Sequence, residues 1–180
     1  MRVSEERSRA TSFEELAMPL FDQLYNFAHW LTRDQAEAED LVQETYTKAL
    51  RGFSSFQPGT NFRAWMYRIL RNSFLNSRTG LKTMVALDDE GEEELPAEQV
   101  TPEVLLIERA NREMVQQAVE ELPVPFREIL LLCEVEEMSY QEISGALGIA
   151  AGTVMSRLFR ARKALRAAIQ LRMEGGRHGL

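Results

Sequence analysis

Apolar residues recur every three or four positions through most of this chain, and no stretch alternates convincingly between apolar and polar residues. That spacing places apolar side chains on one face of an α-helix, whereas a half-buried strand needs a period of two. The sequence therefore predicts an all-α fold. The three clearest stripes are Phe21, Leu24, Tyr25, Ala28 and Leu31; Ala38, Leu41, Val42, Thr45, Tyr46 and Ala49; and Phe62, Trp65, Met66, Ile69, Leu70 and Phe74.

Polar residues before the stripes predict where several helices begin. Asp34 is followed three positions later by Glu37, which is the spacing of a capping box. Ser139 and Glu142 repeat that spacing near the C-terminus. Asn61 follows the loop sequence GFSSFQPGT and can accept a hydrogen bond from the first turn of the next helix.

Charge is distributed unevenly, although the net charge is -7. Residues 63–87 hold five bases and no acid, and residues 151–180 hold seven bases and one acid. Between them, residues 88–121 hold twelve acids and two bases. Two basic segments separated by an acidic one predict two contacts with a polyanion.

Residues 80–101 also suggest a domain boundary, because they lack a helical stripe and hold seven acids, no base, a Gly and a Pro between Asp88 and Glu98. We therefore expect two small helical domains joined by a flexible acidic linker. The predicted divisions are an N-terminal tail at 1–12, a first domain at 13–79, the linker at 80–101, a second domain at 102–172 and a C-terminal tail at 173–180.

Residues 139–165 have the layout of a helix-turn-helix, with Gly148 at the tight turn. In the second helix, an apolar stripe leaves a polar, basic face opposite it, which is suited to base edges and phosphates. A solvated basic face without a ligand is the alternative. The residues predicted on the DNA-facing side are Thr153, Ser156, Arg157, Arg160 and Lys163.

The helix after Asn61 interleaves bases and amides with the aromatic residues Trp65, Tyr67 and Phe74. Such a mixture suits single-stranded or melting DNA, because unstacked bases can lie on aromatic rings. The loop at 54–61 could hold a flipped base. The alternative is that Trp65 and Phe74 are simply core residues. The residues predicted to contact DNA here are Ser54, Ser55, Phe56, Asn61, Arg63, Trp65, Arg68, Arg71, Asn72 and Asn76.

The second predicted helix carries a polar face that we interpret as a docking surface for another protein, with an ordinary solvated face as the alternative. Its members are Glu37, Asp40, Gln43, Glu44 and Thr47.

Nothing in the sequence predicts catalysis, a cofactor or a metal site. There is no phosphate-binding glycine loop, nucleophile motif or metal-spaced Cys/His cluster, and Cys133 is expected to be an inert core thiol. No apolar run approaches the ~20 residues of a membrane span, and no signal peptide is evident. We expect a cytoplasmic protein without stable membrane insertion.

Three segments, in this order, resemble bacterial RNA polymerase sigma factors of the extracytoplasmic-function (ECF) class. They are AEDLVQETYTKAL at 38–50, FQPGTNFRAWMYRILRNSFLNS at 56–77 and LPVPFREILLLCEVEEMSYQEISGALGIAAGTVMSRLFRARKAL at 122–165. The resemblance covers about residues 13–170. It implies that 13–79 is sigma region 2, which contacts the -10 promoter element, and that 102–172 is sigma region 4, which contacts the -35 element.

The resemblance also implies partners and residue roles. The face around Asp40 would dock on the clamp helices of the largest subunit of core RNA polymerase, and the flap of the second-largest subunit would be a further contact. Promoter DNA and an anti-sigma factor complete the expected partners of this alternative sigma factor. The residues implied for the -35 element are Gly152, Thr153, Met155, Ser156, Arg157, Phe159, Arg160 and Lys163. Met155 departs from the Lys or Arg often found at its position.

Two other functions remain compatible with the residues alone. A helix-turn-helix repressor would bind an operator tightly without polymerase, and an interaction adaptor would bind only an acidic partner. Specific transcription that requires core polymerase distinguishes a sigma factor from both.

Overall fold

Helices form all the regular structure that the computed structural model describes, which comprises residues 12–78 and 112–175. The prediction of an all-α fold is therefore confirmed for these ranges. The predicted linker at 80–101 lies outside the described residues, as do most of the two predicted tails. The described residues form two compact units, 12–78 with Gln141–Ile149 and 112–140 with 150–175.

The first unit is built mainly from three helices that each contact the other two, Phe21–Thr32, Gln35–Gly52 and Phe62–Arg78. A short helix precedes these three helices, and the unit also contains two 3-10 turns. In chain order these are α1 (12–17), a turn at Met18–Leu20, α2 (Phe21–Thr32), α3 (Gln35–Gly52), a turn at Phe53–Ser55 and α4 (Phe62–Arg78).

Both predicted caps in this unit are present. The Oδ1 atom of Asp34 accepts a hydrogen bond from the backbone N–H of Glu37 at 2.9 Å. The Oδ1 atom of Asn61 accepts a hydrogen bond from the backbone N–H of Ala64 at 2.8 Å. Each side chain satisfies a backbone donor that the first turn of a helix leaves open, so these residues fix where α3 and α4 begin.

The core of the first unit matches the predicted stripe of α3 except at the half-buried Tyr46, but it differs on the neighbouring helices. On α2, Phe27 is buried and Phe21 is exposed, because α2 lies against both α3 and α4 and turns Leu24, Phe27 and Leu31 inward. On α4, Tyr67 and Phe74 are core side chains and cannot offer rings to DNA. The core interpretation of Phe74 was therefore the correct one.

The C-terminal helices are α5 (Arg112–Glu121), α6 (Val124–Leu130), α7 (Tyr140–Leu147) and α8 (Ala151–Gly175), with a π-helical turn at Leu131–Val135 after α6. Helix α8 contacts both α5 and α6. The apolar side chains that it buries are Val154, Leu158, Ala161, Leu165 and Ile169, as its sequence predicts.

The turn between α7 and α8 depends on Gly148, which has a φ of 67°. Its N–H donates to the carbonyl of Ser144 at 2.9 Å, and the Ser144 hydroxyl donates to the carbonyl of Ile149 at 2.5 Å. These bonds close α7 with a left-handed residue, a conformation that glycine adopts without steric cost. The predicted tight turn at Gly148 is confirmed.

Candidate nucleic-acid interface

The outer face of α4 carries a row of exposed polar side chains. Arg68, Asn72 and Asn76 follow one another at intervals of four residues, which places them side by side along one face of the helix. Arg63 and Arg71 are half-buried, and the guanidinium of Arg63 lies 5.8 Å from the centre of the ring of the buried Tyr67. The structure thus presents one positive charge and two amides to solvent on a rigid element.

The loop that precedes α4 is held on a cluster of aromatic rings. The ring of Phe56 stacks on Phe53 with a centroid distance of 6.1 Å and lies 5.2 Å from Trp65. Phe62 lies within 5.6 Å of both Phe56 and Trp65. Phe56 and Trp65 remain half-buried, so part of each ring reaches the surface beside the exposed side chains of the loop. The sequence predicted a role for both of these residues, whereas nothing in it indicated the supporting role of Phe53.

Ser54, Ser55 and Asn61 lie exposed around this aromatic cluster. The hydroxyl of Ser55 donates to the carbonyl of Gly52 at 2.7 Å, and Gly59 has a φ of 89°. The hydrogen bond of Ser55 closes the 3-10 turn. The positive φ of Gly59 lets the chain reverse before α4. The loop is therefore locally ordered next to the row on α4.

The start of α8 presents a mixed surface. Gly152, Met155 and Lys163 are exposed, whereas Thr153, Ser156, Phe159 and Arg160 are half-buried. Arg157 is also half-buried: its side chain is 14% exposed, and its Nη1 lies 4.0 Å from the carboxylate of the buried Glu128. Arg157 lies three positions after Val154 and four before Ala161, which are both buried. This spacing is the sequence signal that could have placed Arg157 toward the buried side of α8.

Further bases of α8 are also paired within the protein. Arg162 donates from Nε and Nη2 to the same carboxylate oxygen of Glu134, at 3.2 and 2.7 Å. Arg172 forms an ion pair with Glu121 of α5. Arg162 and Arg172 therefore hold α8 against neighbouring parts of the second unit, whereas Lys163 is an exposed base of this helix.

The five residues of the predicted docking surface on α3 are all exposed. Glu37 accepts a hydrogen bond from Arg78 at the end of α4 at 2.6 Å, and Glu44 pairs with Lys48 at 2.5 Å. These exposed pairs contribute little to stability. The face is thus acidic in part and balanced by neighbouring bases at two of its positions.

Cys133 lies in the π-helical turn, 3.7 Å from the Nη2 of Arg162. Burial raises the pKa of its thiol, and the negative charge of Glu134 raises it further, while Arg162 offsets only part of the rise. A thiol with a raised pKa is a poor nucleophile at neutral pH because little of it is thiolate. The expectation of an unreactive thiol therefore has a physical cause.

Alkylation of native Cys133 by iodoacetamide should be at least several-fold slower at pH 8 than alkylation of the unfolded chain, because the thiolate is the reacting species. The rate should keep rising with pH beyond the range in which an ordinary thiol has already ionised. Mass spectrometry of the intact protein over time measures both. An equal rate in native and unfolded protein would contradict the assigned environment.

No cluster of metal-ligating side chains occurs within 12–78 or 112–175. Over the same residues, no helix is both long and apolar enough to cross a membrane.

Two family models match separate parts of the chain. The model of sigma-70 region 2 matches residues 16–82, and the model of sigma-70 region 4 matches residues 112–165. Together with the helical units, the ordered loop beside α4 and the helix-turn-helix sequence, these matches define a two-region protein of the sigma-70 type.

Curated relatives narrow this class. The chain is 39% identical over 157 residues to the ECF RNA polymerase sigma factor SigE of Mycolicibacterium smegmatis, a match that covers 86% of this chain and 60% of that protein. It is 30% identical over 174 residues to the RNA polymerase sigma-H factor of Pseudomonas aeruginosa, with 92% and 90% covered.

A solved structure agrees with these relatives. The sigma factor RpoE in complex with the anti-sigma factor NepR, from Bartonella quintana, is 29% identical and gives a TM-score of 0.67 over 88% of this chain and 97% of that one. The chain belongs to the ECF class of RNA polymerase sigma factors. The prediction of an alternative sigma factor is confirmed, and the family consists of transcription initiation factors.

Proposed function

We propose that this sigma factor brings core RNA polymerase to its promoters through three surfaces of the described units. The row on α4 and the loop before it contact the -10 element, the start of α8 contacts the -35 element, and the acidic face of α3 docks on the clamp helices of the largest polymerase subunit. The flap of the second-largest subunit is a further contact of the C-terminal region.

The observation that carries the proposal is the exposed row Arg68, Asn72 and Asn76 next to the half-buried rings of Phe56 and Trp65. Amides form bidentate hydrogen bonds with adenine, and aromatic rings stack on unpaired bases. Both contacts suit a strand that is separating from its partner. The buried inner face of α4 gives this surface a rigid support.

The contact of α8 with the -35 element is supported by the small and polar residues at its start. Gly152, Thr153 and Ser156 leave room for base edges, and Arg160 and Lys163 follow with positive charge. A recognition helix contacts bases mainly through its N-terminal residues, while bases further along it meet phosphates. The exposed Met155 can contribute only an apolar contact, for example with a thymine methyl group.

Run-off transcription with purified core polymerase tests the proposed function. Genomic promoter fragments should give specific transcripts only when this protein and core enzyme are both present, and the protein alone should bind the same fragments weakly. Tight and specific binding without polymerase would instead favour the repressor alternative. Specific transcripts that persist after both promoter elements are scrambled would overturn the assignment of the two DNA-contacting surfaces.

We also propose that an anti-sigma factor holds this protein inactive. The support is the likeness to RpoE, whose solved structure contains the anti-sigma factor NepR. A tagged chain purified from unstressed cells should bring down one stoichiometric partner that blocks run-off transcription when it is added back. Recovery of the chain bound only to core polymerase would count against this control.

A further inference from the structure

Helix α6 places two charged side chains of opposite sign in the core of the second unit. Arg127 and Glu128 are adjacent in sequence, and both are buried, Glu128 completely. Buried charges are costly unless neighbouring groups compensate them. The groups that contact each side chain therefore determine whether its buried charge is compensated.

Arg127 connects α6 to the end of α5. Its Nη2 donates to the carbonyl of Glu120 at 2.7 Å and to the carbonyl of Leu122 at 3.0 Å. Carbonyls at the end of a helix lack partners within that helix, so this guanidinium satisfies them and fixes α5 against α6.

Glu128 faces the other neighbour, α8. Its carboxylate lies 4.0 Å from the Nη1 of Arg157, whose side chain is 14% exposed. On α8, Arg157 is bracketed by Val154 and Ala161, which are both fully buried. The guanidinium thus lies along the buried side of α8, while Ser156 and Arg160 turn more toward the outer side.

We infer that Arg157 is a positioning residue for -35 recognition and does not itself contact bases. It holds the first half of α8 against α6 through the carboxylate of Glu128 and so sets the rotation of the helix about its axis. That rotation decides which side chains face the DNA. The inference rests on the proposed contact of α8 with the -35 element.

A cycle of substitutions separates positioning from base contact. Arg157→Met leaves the buried Glu128 without this partner, and Glu128→Leu does the reverse. The double variant replaces the ion pair with apolar side chains, a change that buried pairs often tolerate. Because the chain has a single cysteine, alkylation of Cys133 in increasing urea measures unfolding of the second unit independently of DNA.

Each single variant should lower the melting temperature of this unit by about 10 °C or more, lose the protection of Cys133 and lose -35-dependent transcription. The double variant should recover protection and transcription. It should also rank a set of promoters with single substitutions in the -35 element as the wild-type protein ranks them. A residue that contacted a base would leave the double variant unable to discriminate at that base pair, which would overturn the inference.

Two further variants keep the result interpretable if the double variant fails to fold. Arg157→Lys retains a positive charge near Glu128 and should keep both the protection of Cys133 and the promoter ranking; intact protection with an altered ranking would overturn the inference. Lys163→Met removes one charge from an exposed position of the same helix. It should leave protection unchanged and weaken binding to all promoters about equally, with a salt slope smaller by about one.

Loss of protection in the single variants also separates this inference from the proposed function. If Cys133 responds as expected but no variant changes dependence on the -35 element, the ion pair is real and the assigned role of α8 in DNA recognition fails. If Arg157→Met abolishes transcription without any change in Cys133 protection, the positioning role fails while the DNA contact stands.

Discussion

Replacement of Arg68, Asn72 and Asn76 together by alanine is expected to reduce run-off transcription by about 100-fold. Contacts of this kind with bases contribute roughly 1–3 kcal/mol each, so even their lower range for three residues reaches that factor. All three side chains are exposed, and their removal should leave the stability of the first unit nearly unchanged. Transcription from a cognate promoter and thermal unfolding of the same preparations measure the two effects.

The matched control removes exposed amides from another helix of the same unit. Gln23→Ala with Asn26→Ala on α2 should leave transcription near the wild-type level. Co-elution with core polymerase should be unaffected in the triple variant, because the proposed docking surface lies on α3. If the triple variant loses core binding and DNA activity in parallel, its residues belong to a polymerase contact, and the assignment to the -10 element is wrong.

Local sequence signals predicted the helix boundaries of the first unit well. The caps at Asp34 and Asn61 depend on one side chain and on backbone groups within three residues, so the sequence contains all the necessary information. The turn at Gly148 is predictable for the same reason, since a left-handed residue after a helix favours glycine wherever the chain goes next.

Contacts between distant residues were less predictable. Helical periodicity placed Arg157 on the DNA-facing side of α8, because the sequence does not show which side chains the other helices bring beside an arginine. Arg157 lies beside Glu128, Arg162 beside Glu134 and Arg172 beside Glu121. Each partner is at least 28 positions away along the chain, as the numbering shows, and periodicity within one helix carries no information about it. The exposed row on α4 could be predicted because exposure there follows from the helix's own apolar stripe.

The sequence also did not show which aromatic side chains of α4 are buried. Trp65, Tyr67 and Phe74 looked equivalent as aromatic residues among bases, but two of the three are core side chains. The difference arises because α4 lies against both α2 and α3, which widens the buried arc of the helix beyond a narrow stripe. Only Trp65, near the start of α4, stays close enough to the loop to be partly exposed.

Phe27→Ala is expected to destabilise the first unit by about 3–5 kcal/mol, since truncation of a buried phenylalanine removes its apolar contacts and leaves a cavity. The side chain is 1% exposed, and its ring lies 5.2 Å from that of Tyr67 on α4. Such a loss is a large share of the 5–15 kcal/mol that typically separates a folded domain from its unfolded state. Both tryptophans of the chain, Trp30 and Trp65, lie in this unit, so their fluorescence during urea denaturation measures its unfolding.

Phe21→Ala on the same helix is the matched control, because it removes the same atoms from a side chain that is 43% exposed. The ring of Phe21 lies 5.8 Å from that of Tyr46, measured between centroids. Its truncation should lower the free energy of unfolding by only about 1 kcal/mol. The sequence pattern placed Phe21 on the apolar stripe of α2 and omitted Phe27, so the two variants also test which residues α2 turns toward the core. A larger loss of stability in Phe21→Ala than in Phe27→Ala would mean that α2 packs with the rotation that the sequence stripe suggested, and the burial described for Phe27 would be wrong.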